Sequence, residues 1–388
     1  ARMKQVFEGD LDIERLVLSI SAETGVSIEA ENTLIIFDEV QEVPKALTSL
    51  KYFYENAPQY AIVAAGSLLG VALHQGTSFP VGKVDFLDLY PLNFREFLCA
   101  MGEEALSDAL NTKDYPLIDC DTQMVTVFKT KYIERLREYY FVGGMPEVVK
   151  DFSEKKDYNR VRAIQKNLIN YYQQDFSKHA EIKLVPRLNL VWNSIPMQLA
   201  KENKKYIYGQ VREGSRAKDF ELAIQWLLDR GLNHKVQRIH KTDLPLKAYI
   251  DFDAFKLFLV DIGLLIAMTD LDAKVIIEGN KIFTEFKGSL TEQYILQQLI
   301  SDVGVIPYYY STQNSKGEID FLVQGKTSVI PIEVKAEENL KAKSLKAFCE
   351  KYQPSYAVRT SMSDYREQDW MTNIPLYAIK WIENYVNQ

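Results

Sequence analysis

Two short apolar runs near the end of the chain, residues 317–323 and 330–335, predict the two strands of one hairpin. Asp320 stands at the head of the first run, and the second run contains Glu333 and Lys335. Residues two apart on a strand point to the same face of a sheet. If the two strands lie side by side in one sheet, the carboxylates of Asp320 and Glu333 and the ammonium of Lys335 share a small volume. We therefore expect this region to form part of a sheet.

Carboxylates and an ammonium in one place suit phosphodiester chemistry. Carboxylate oxygens bind divalent cations, and an ammonium can hold a hydroxide or a charged phosphorus centre. Asp320 and Glu333 are thus candidate metal ligands, and Lys335 is a candidate catalytic residue. The simpler alternative is a surface hairpin whose acids are ordinary solvated charges, because short motifs also match by chance.

The order of these residues resembles the PD-(D/E)XK superfamily of restriction-endonuclease-like folds. The resemblance implies that Asp320 and Glu333 bind Mg²⁺ and that Lys335 faces a phosphate. It also implies that Glu292, on the preceding helix, completes the catalytic site. A helical pattern over 339–352 follows the second strand, as the superfamily requires. The expected C-terminal fold is a restriction-endonuclease-like α/β domain.

A second signal lies near the start of the chain, where the apolar residues 34–37 are followed by Asp38 and Glu39. This pattern predicts a buried parallel strand that delivers carboxylates at its C-terminal end. Another apolar run, residues 60–65, ends just before Ser67 and predicts the neighbouring strand. The alternative is a plain buried strand whose acids cap the following turn.

The first strand and its two acids resemble a Walker B motif. The resemblance implies that Asp38 supports the Mg²⁺ of a bound nucleotide and that Glu39 polarises the attacking water. It places Ser67 near the γ-phosphate, in the manner of a sensor residue. ATP and Mg²⁺ are therefore the expected cofactors.

Further segments are similar to a prokaryotic family of AAA-like ATPases whose C-terminal domain, of unknown function, belongs to the nuclease-like superfamily. The segments that carry the similarity are 65–69, 87–97, 140–147 and 256–265. They are spread over nearly the whole chain. The resemblance implies an α/β fold that begins with a P-loop AAA-like core and ends with the nuclease-like domain.

The chain departs from that family in two places. No Gly-x-x-x-x-Gly-Lys-Ser/Thr loop stands between residues 1 and 33, so the expected AAA-like core lacks the amides and the lysine that cradle phosphates. We expect that loop in a segment upstream of Ala1. At residues 81–83 the sequence is Val-Gly-Lys where the family has Gly-Arg, and Lys83 is a poorer fork for a γ-phosphate than an arginine.

Residues 201–241 are the most basic part of the chain, with ten lysines and arginines against five acids. Their order predicts a helix, a turn, a second helix and a hairpin-like basic wing at 235–241, which together are typical of a winged helix. Such a module presents its second helix to the major groove of DNA. The candidate DNA-binding cations are Arg212, Arg216, Lys218, Lys235 and Arg238. The alternative is an internal spacer whose basic face docks on acidic neighbours.

Composition limits the remaining function classes. The net charge of −7 argues against indiscriminate binding of nucleic acid, because affinity for a polyanion comes from counterion release. The three cysteines are scattered, which predicts thiols in a reducing cytoplasm rather than a disulfide frame or a zinc site. No run reaches the roughly 18 apolar residues of a membrane span, so no membrane partner is expected.

These patterns predict four regions in the 388 residues. They are an AAA-like core at 1–100, a helical region at 101–184, a winged-helix candidate at 185–245 and a nuclease-like domain at 246–388. Two functions stay open at this point. One is an ATP-driven machine that acts on nucleic acid through the C-terminal metal site. The other is a nucleotide-gated regulatory module with a protein partner, in which the nuclease fold is an inactive scaffold. The oligomeric state is not predicted.

Overall fold

The computed structural model describes residues 2–66, 82–110, 127–201, 204–278, 284–312, 317–337 and 342–388. The chain divides into two compact units where the sequence predicts four regions. Ala1–Leu89 and Trp226–Gly231 form unit one, whereas Tyr90–Gln225 and Leu232–Gln388 form unit two. No described helix is both long and apolar enough to cross a membrane.

Unit one contains a parallel pair of strands, β1 (Leu34–Phe37) and β2 (Ala61–Ala64), in which Leu34 pairs with Ala61. Its helices are α1 (Arg2–Glu8), α2 (Ile13–Thr24) and α3 (Pro44–Asn56). The carboxylate of Asp12 caps the start of α2 by accepting from the Arg15 amide, which satisfies one of the unpaired N–H groups of the first turn. The predicted parallel pairing of the two apolar runs is confirmed.

The prediction that β1 is a buried strand is correct for one face only. Ile35 is buried, and the Phe37 ring packs edge-to-face against Phe7 at 5.4 Å between ring centroids. On the other face Leu34 is 54% exposed and Ile36 is 60% exposed. The reason is that the apolar side chains of α1, α2 and α3 cluster with Phe37 and Ile62 on a single face of the strand pair.

Unit two is built on a mixed sheet of eight strands in the order β4-β3-β5-β6-β7-β8-β10-β9. The strands are β3 (Asn233–Ile239), β4 (Ile250–Leu259), β5 (Tyr308–Ser311), β6 (Glu318–Gln324), β7 (Val329–Val334), β8 (Val358–Ser361), β9 (Arg366–Gln368) and β10 (Met371–Pro375). The predicted hairpin is the central antiparallel pair β6–β7. Because β6 and β7 lie inside the sheet, their apolar side chains and Glu333 are buried, whereas Asp320 is half-buried and Gln324, at the end of β6, is exposed.

The helices of unit two cover both faces of this sheet. Those before β4 are α4 (Phe94–Ala100), α5 (Glu104–Ala109), α6 (Lys129–Val142), α7 (Pro146–Lys155), α8 (Tyr158–His179), α9 (Val185–Leu199), α10 (Tyr208–Val211) and α11 (Ala217–Asp229), whose last residues belong to unit one. Those after β4 are α12 (Ile262–Met268), α13 (Ala273–Ile277), α14 (Thr284–Gln298), α15 (Lys343–Tyr352) and α16 (Glu383–Val386). Leu345 and Phe348 of α15 pack on Ile319 and Leu322, and α14 contacts β7.

The predicted wing at 235–241 is not a hairpin of its own, and the winged-helix module stays a prediction. Residues Asn233–Ile239 form one strand, β3, which pairs antiparallel with β4 and parallel with β5. Val236 and Ile239 are buried in the sheet, and pairing with β4 and β5 extends the backbone through Gln237 and Arg238 between them. The predicted boundary at 245 therefore falls between two paired strands.

A buried carboxylate joins two distant parts of unit two. Asp261 accepts hydrogen bonds from the amide of Gly144, at 2.6 Å, and from the amide of Leu264 at the start of α12, at 3.0 Å. A side chain at Gly144 would meet the carbonyl oxygen of Leu92 at 2.1 Å, and one at Gly263 would meet the carbonyl oxygen of Val142 at 2.5 Å. Glycine is required at both positions because the backbones approach too closely for a Cβ atom.

Candidate functional site

The β6–β7 pair places Asp320 next to the Glu333-Val334-Lys335 segment. Phe321 pairs with Ile332, so that the next residues along the two strands are Asp320 and Glu333. Asp320 Oδ2 accepts a hydrogen bond from the Val334 amide at 2.7 Å. The structure therefore brings together the two acids that the sequence predicts.

A bulge in β6 contributes to the position of Asp320. Against β5, Tyr308 pairs with Leu322 and Tyr310 pairs with Ile319, so that three steps on β6 face two steps on β5. The extra residue lies at Asp320 or the residue after it. A bulge bends a strand locally and redirects a side chain. The period-two pattern of the sequence does not show this feature.

Glu333 is a buried acid, 4% exposed, with one satisfied and one unsatisfied oxygen. Its Oε1 lies 2.8 Å from Lys335 Nζ, whereas its Oε2 is buried and has no hydrogen-bond partner. Burial lowers the pKa of Lys335, but the hydrogen bond to Glu333 and the charges of Glu333, Asp320 and Glu292 outweigh burial. The pKa of Lys335 is therefore raised above its ordinary value, and the ammonium stays charged. Lys335 is thus a cation that faces three carboxylates.

Glu292 comes from α14 and lies among cations. Its Oε1 is 2.7 Å from Lys204 Nζ, and its Oε2 is 3.6 Å from Lys256 Nζ. Lys256 is fully buried, forms a second ion pair with Glu318 and lies 4.9 Å from the centre of the Tyr309 ring. The predicted fourth member of the site therefore lies between two lysines, with its Oε1 hydrogen-bonded to Lys204 and its Oε2 without a hydrogen-bond partner.

Lys204 and Lys256 are site residues that sequence reasoning missed. The only sequence signal for Lys256 is a single lysine within the apolar run of β4, because a fully buried lysine requires a paired acid. Lys204 lies in a basic stretch that also contains exposed cations such as Arg212 and Arg216, and its sequence has no distinguishing signal.

Burial and charge separate the pKa values of the two neighbouring acids. Burial raises the pKa of Glu292, but the charges of Lys204 and Lys256 outweigh this effect, and its pKa lies below the ordinary value. Burial and the negative charge of Glu292 raise the pKa of Asp320 to about 7, against partial compensation by Lys256, Lys204 and the Val334 amide. Asp320 is therefore the acid whose ionisation costs most in this arrangement.

Asp320 and Glu333 are the acids of this cluster that fit a divalent cation. Over the described ranges, no three or more His, Cys, Asp or Glu side chains converge with metal-binding geometry. Mg²⁺ needs fewer protein ligands, since it keeps several waters and commonly binds one or two carboxylates together with substrate phosphates. Asp320 and the unsatisfied Oε2 of Glu333 meet that requirement. The pair therefore fits Mg²⁺, with Glu292 held outside the ligand set by its lysines.

The predicted nucleotide residues of unit one lie at the end of β1. Asp38 and Glu39 are both exposed, and Asp38 Oδ1 accepts from the Glu39 amide at 3.0 Å. Glu39 has a φ of 47°, a left-handed conformation that is uncommon for a residue with a side chain and that clusters at functional sites. Asp38 also lines a mostly apolar cavity of about 410 Å³. Both carboxylates are thus exposed at the C-terminal end of β1.

Two predicted nucleotide contacts receive less support. Ser67 lies outside the described residues, so that its position next to Asp38 stays a prediction. Lys83 is described, and its ammonium lies 3.6 Å from Glu55 and 4.7 Å from the centre of the Tyr54 ring. These contacts hold Lys83 within its own unit.

The predicted DNA-binding cations divide into two groups. Arg212, Arg216 and Lys218 are exposed near the start of α11. Lys235 lies 4.5 Å from the centre of the Phe255 ring, and Arg238 is paired with Asp251. Only the first group is available to a phosphate backbone without loss of an internal contact.

The raised pKa of Asp320 predicts a pH-dependent stability. A folded-state pKa of about 7 lies above the ordinary value of 3.8, so that the folded chain binds the proton more tightly than the unfolded chain and loses stability as the pH rises from about 4 to about 7. Asp320→Asn keeps the acceptor for Val334 and removes the charge. We expect the variant, stripped of metal, to be more stable than the parent by about 2 kcal/mol at pH 8, with a smaller gap at pH 5. Urea unfolding at the two pH values measures this, and a variant less stable at pH 8 would contradict it.

Comparison with known proteins gives three family matches. Residues 3–98 match a family described as "AAA domain". Residues 133–275 match a "Domain of unknown function (DUF8612)", and residues 287–379 match a "Domain of unknown function (DUF4143)". The second match crosses the predicted limits at 184 and 245.

Among solved structures, the chain is similar to the Walker-type ATPase PABY2304 of Pyrococcus abyssi. The TM-score is 0.40 at 14% identity, and the alignment covers 67% of this chain and 68% of that one. No curated protein matches the chain significantly. Residues 3–98 are therefore similar to an AAA domain, and two later segments match domains of unknown function.

Proposed function

We propose that this protein is an ATP-binding AAA-type ATPase coupled to a metal-dependent, nuclease-like C-terminal domain that acts on nucleic acid. The observation that carries the second half of the proposal is the buried Oε2 of Glu333, which has no hydrogen-bond partner although Asp320 and the Lys335 ammonium lie beside it. An unsatisfied buried carboxylate oxygen is costly, and a bound cation would remove that cost.

The chemistry of the C-terminal site follows from three side chains. Asp320 and Glu333 would hold Mg²⁺, which supplies Lewis acidity and a more acidic water when bound. The Val334 amide fixes the Asp320 carboxylate, and the hairpin fixes Glu333 opposite it. The Lys335 ammonium lies next to Glu333 and can hold a phosphate oxygen or the attacking hydroxide. Together these residues suit the hydrolysis of a phosphodiester.

The nucleotide site would lie at the C-terminal end of β1. Asp38 would support the Mg²⁺ of ATP, and Glu39 would orient and polarise the attacking water. Support comes from the AAA-domain match and from the exposure of both carboxylates at the end of a parallel strand. Ser67 would act as the sensor of the γ-phosphate.

A specific observation favours a second function. Glu292 is neutralised by Lys204 and Lys256, and the overall charge of the chain is −7. These features suit a nucleotide-gated regulatory module with a protein partner, in which the nuclease-like domain is a scaffold stabilised by ion pairs.

A cleavage assay on the intact protein tests the first function. The protein would be incubated with supercoiled plasmid, single-stranded DNA and RNA, in Mg²⁺, Mn²⁺ or EDTA. We expect cleavage of at least one substrate in Mg²⁺ or Mn²⁺ and none in EDTA. Binding of Mn²⁺ without cleavage of any substrate, with and without ATP, would favour the regulatory function instead.

A further inference from the structure

The strongest unexplained feature of the C-terminal site is the cation excess around Glu292. Two ammonium groups, those of Lys204 and Lys256, lie at 2.7 and 3.6 Å from its two oxygens. All three residues lie in unit two, and the side chains of Lys204 and Glu292 are 12% and 7% exposed. Glu292 Oε2 has no hydrogen-bond partner, but two ammonium charges at these distances offset the single carboxylate charge and leave little net attraction for a metal ion at Glu292.

Lys204 and Lys256 differ in the number of acids with which they pair. Lys256 is fully buried and also pairs with Glu318, so that it is held by two acids. Lys204, by contrast, forms its ion pair with Glu292. Lys204 is therefore the cation whose removal changes the charge of Glu292 with the least effect on the rest of the cluster.

The backbone next to Lys204 is held in place by contacts of the residues that follow it. The Tyr206 amide donates to the carbonyl oxygen of Phe255 at 2.8 Å, and the two rings stack with centroids 5.3 Å apart. Gln198 binds both the amide and the carbonyl of Ile207. The ammonium of Lys204 can therefore leave Glu292 by rotation of its own side chain, without movement of the segment that carries it.

We propose that the Lys204 ammonium is a built-in counter-ion that competes with a divalent cation for Glu292, and that the site therefore holds a single cation, between Asp320 and Glu333. This inference rests on the proposed function, because it assumes the Asp320–Glu333 metal site. It assigns Glu292 a new role. Glu292 does not ligate the cation in the resting state, and its charge becomes available only when Lys204 is displaced.

Titration of the metal-free, full-length protein with Mn²⁺ by isothermal calorimetry tests the competition. We expect one Mn²⁺ per chain in the parent protein. Lys204→Met frees the Glu292 carboxylate and removes a repelling charge, and it should tighten Mn²⁺ binding by about tenfold or more. Glu292→Gln should weaken binding, since it removes a negative charge and leaves the Lys204 ammonium without its acid near the cation. The Lys204→Met/Glu292→Gln double variant should return to within about threefold of the parent.

Control variants separate the competition from damage to the fold. Lys204→Arg keeps the ion pair and should bind Mn²⁺ like the parent, and Lys131→Met, which breaks a pair with Glu103 on another part of unit two, should also have no effect. Thermal unfolding of each metal-free variant shows whether it is folded. If Lys204→Met destabilises the chain too far, Lys204→Gln replaces it in the same cycle.

The outcomes distinguish this inference from the proposed function. Unchanged Mn²⁺ affinity in folded Lys204→Met, with binding abolished by Glu333→Gln, would overturn the competition and leave the metal site intact. Two Mn²⁺ per chain in the parent protein would overturn it as well. Absence of Mn²⁺ binding in the parent, or binding that Glu333→Gln does not change, would overturn the Asp320–Glu333 metal site itself.

Discussion

Glu333→Gln and Lys335→Met should each lower metal-dependent cleavage of nucleic acid by about 10³-fold, the largest effect that we expect for any single change. Glu333→Gln removes the charge that a cation at the buried Oε2 would need. Lys335→Met removes the ammonium that lies 2.8 Å from Glu333. Single-turnover rates with saturating Mn²⁺ measure both losses.

The two variants should differ in their effect on the metal. Glu333→Gln should abolish Mn²⁺ binding, whereas Lys335→Met should preserve or tighten it, because the neighbouring positive charge is gone. Lys346→Met, an exposed change on α15, is the matched control and should leave cleavage unchanged. Full cleavage activity in either site variant would exclude the β6–β7 strand pair as the reaction centre.

In the intact protein, Glu39→Gln should leave the affinity for ATP unchanged and slow ATP hydrolysis by about 10²- to 10³-fold. The amide keeps the shape of the side chain but cannot polarise the attacking water. Equilibrium binding of a fluorescent ATP analogue and steady-state phosphate release measure the two quantities separately. Glu42→Gln changes an exposed acid of the same turn and serves as the control.

Other results for ATP binding and hydrolysis would change the role assigned to Glu39. Loss of ATP binding in Glu39→Gln would mean that Glu39 acts on the nucleotide or its metal, not on water. Equal hydrolysis rates in Glu39→Gln and the parent protein would remove Glu39 from the reaction. Asp38→Asn should weaken Mg²⁺-dependent binding of ATP in both cases, because that carboxylate is assigned to the metal.

The acids of the C-terminal site could be predicted because they are close in sequence. Asp320 and Glu333 are joined by one short hairpin, and strand periodicity is enough to place them together. Lys204 and Lys256 could not be predicted, since they reach Glu292 from segments 88 and 36 residues away in the chain. Only the packing of α14 against β7 and the docking of Tyr206 on β4 bring them together.

The parts of the fold that were predicted wrongly share one physical cause. Local sequence patterns predict that a strand exists but do not identify the strand that pairs with it. The apolar residues of β3 predict a strand, and the charged residues around them suggest a wing, but the partner strands β4 and β5 decide its place in the sheet. The exposed face of β1 has a similar explanation, because a run of four apolar residues does not reveal how many faces are covered.

The pairing of β3 with β4 also decides how the basic segment can be studied in isolation. A protein cut at residue 245 would end between these strands and would leave Asn233–Ile239 without either of its neighbours. The open edges of β3 would then be available to other chains, and association through exposed strand edges is a common route to aggregation. Failure of such a fragment to bind DNA would report on its folding, not on Arg212, Arg216 or Lys218. Charge substitutions in the intact chain avoid this ambiguity.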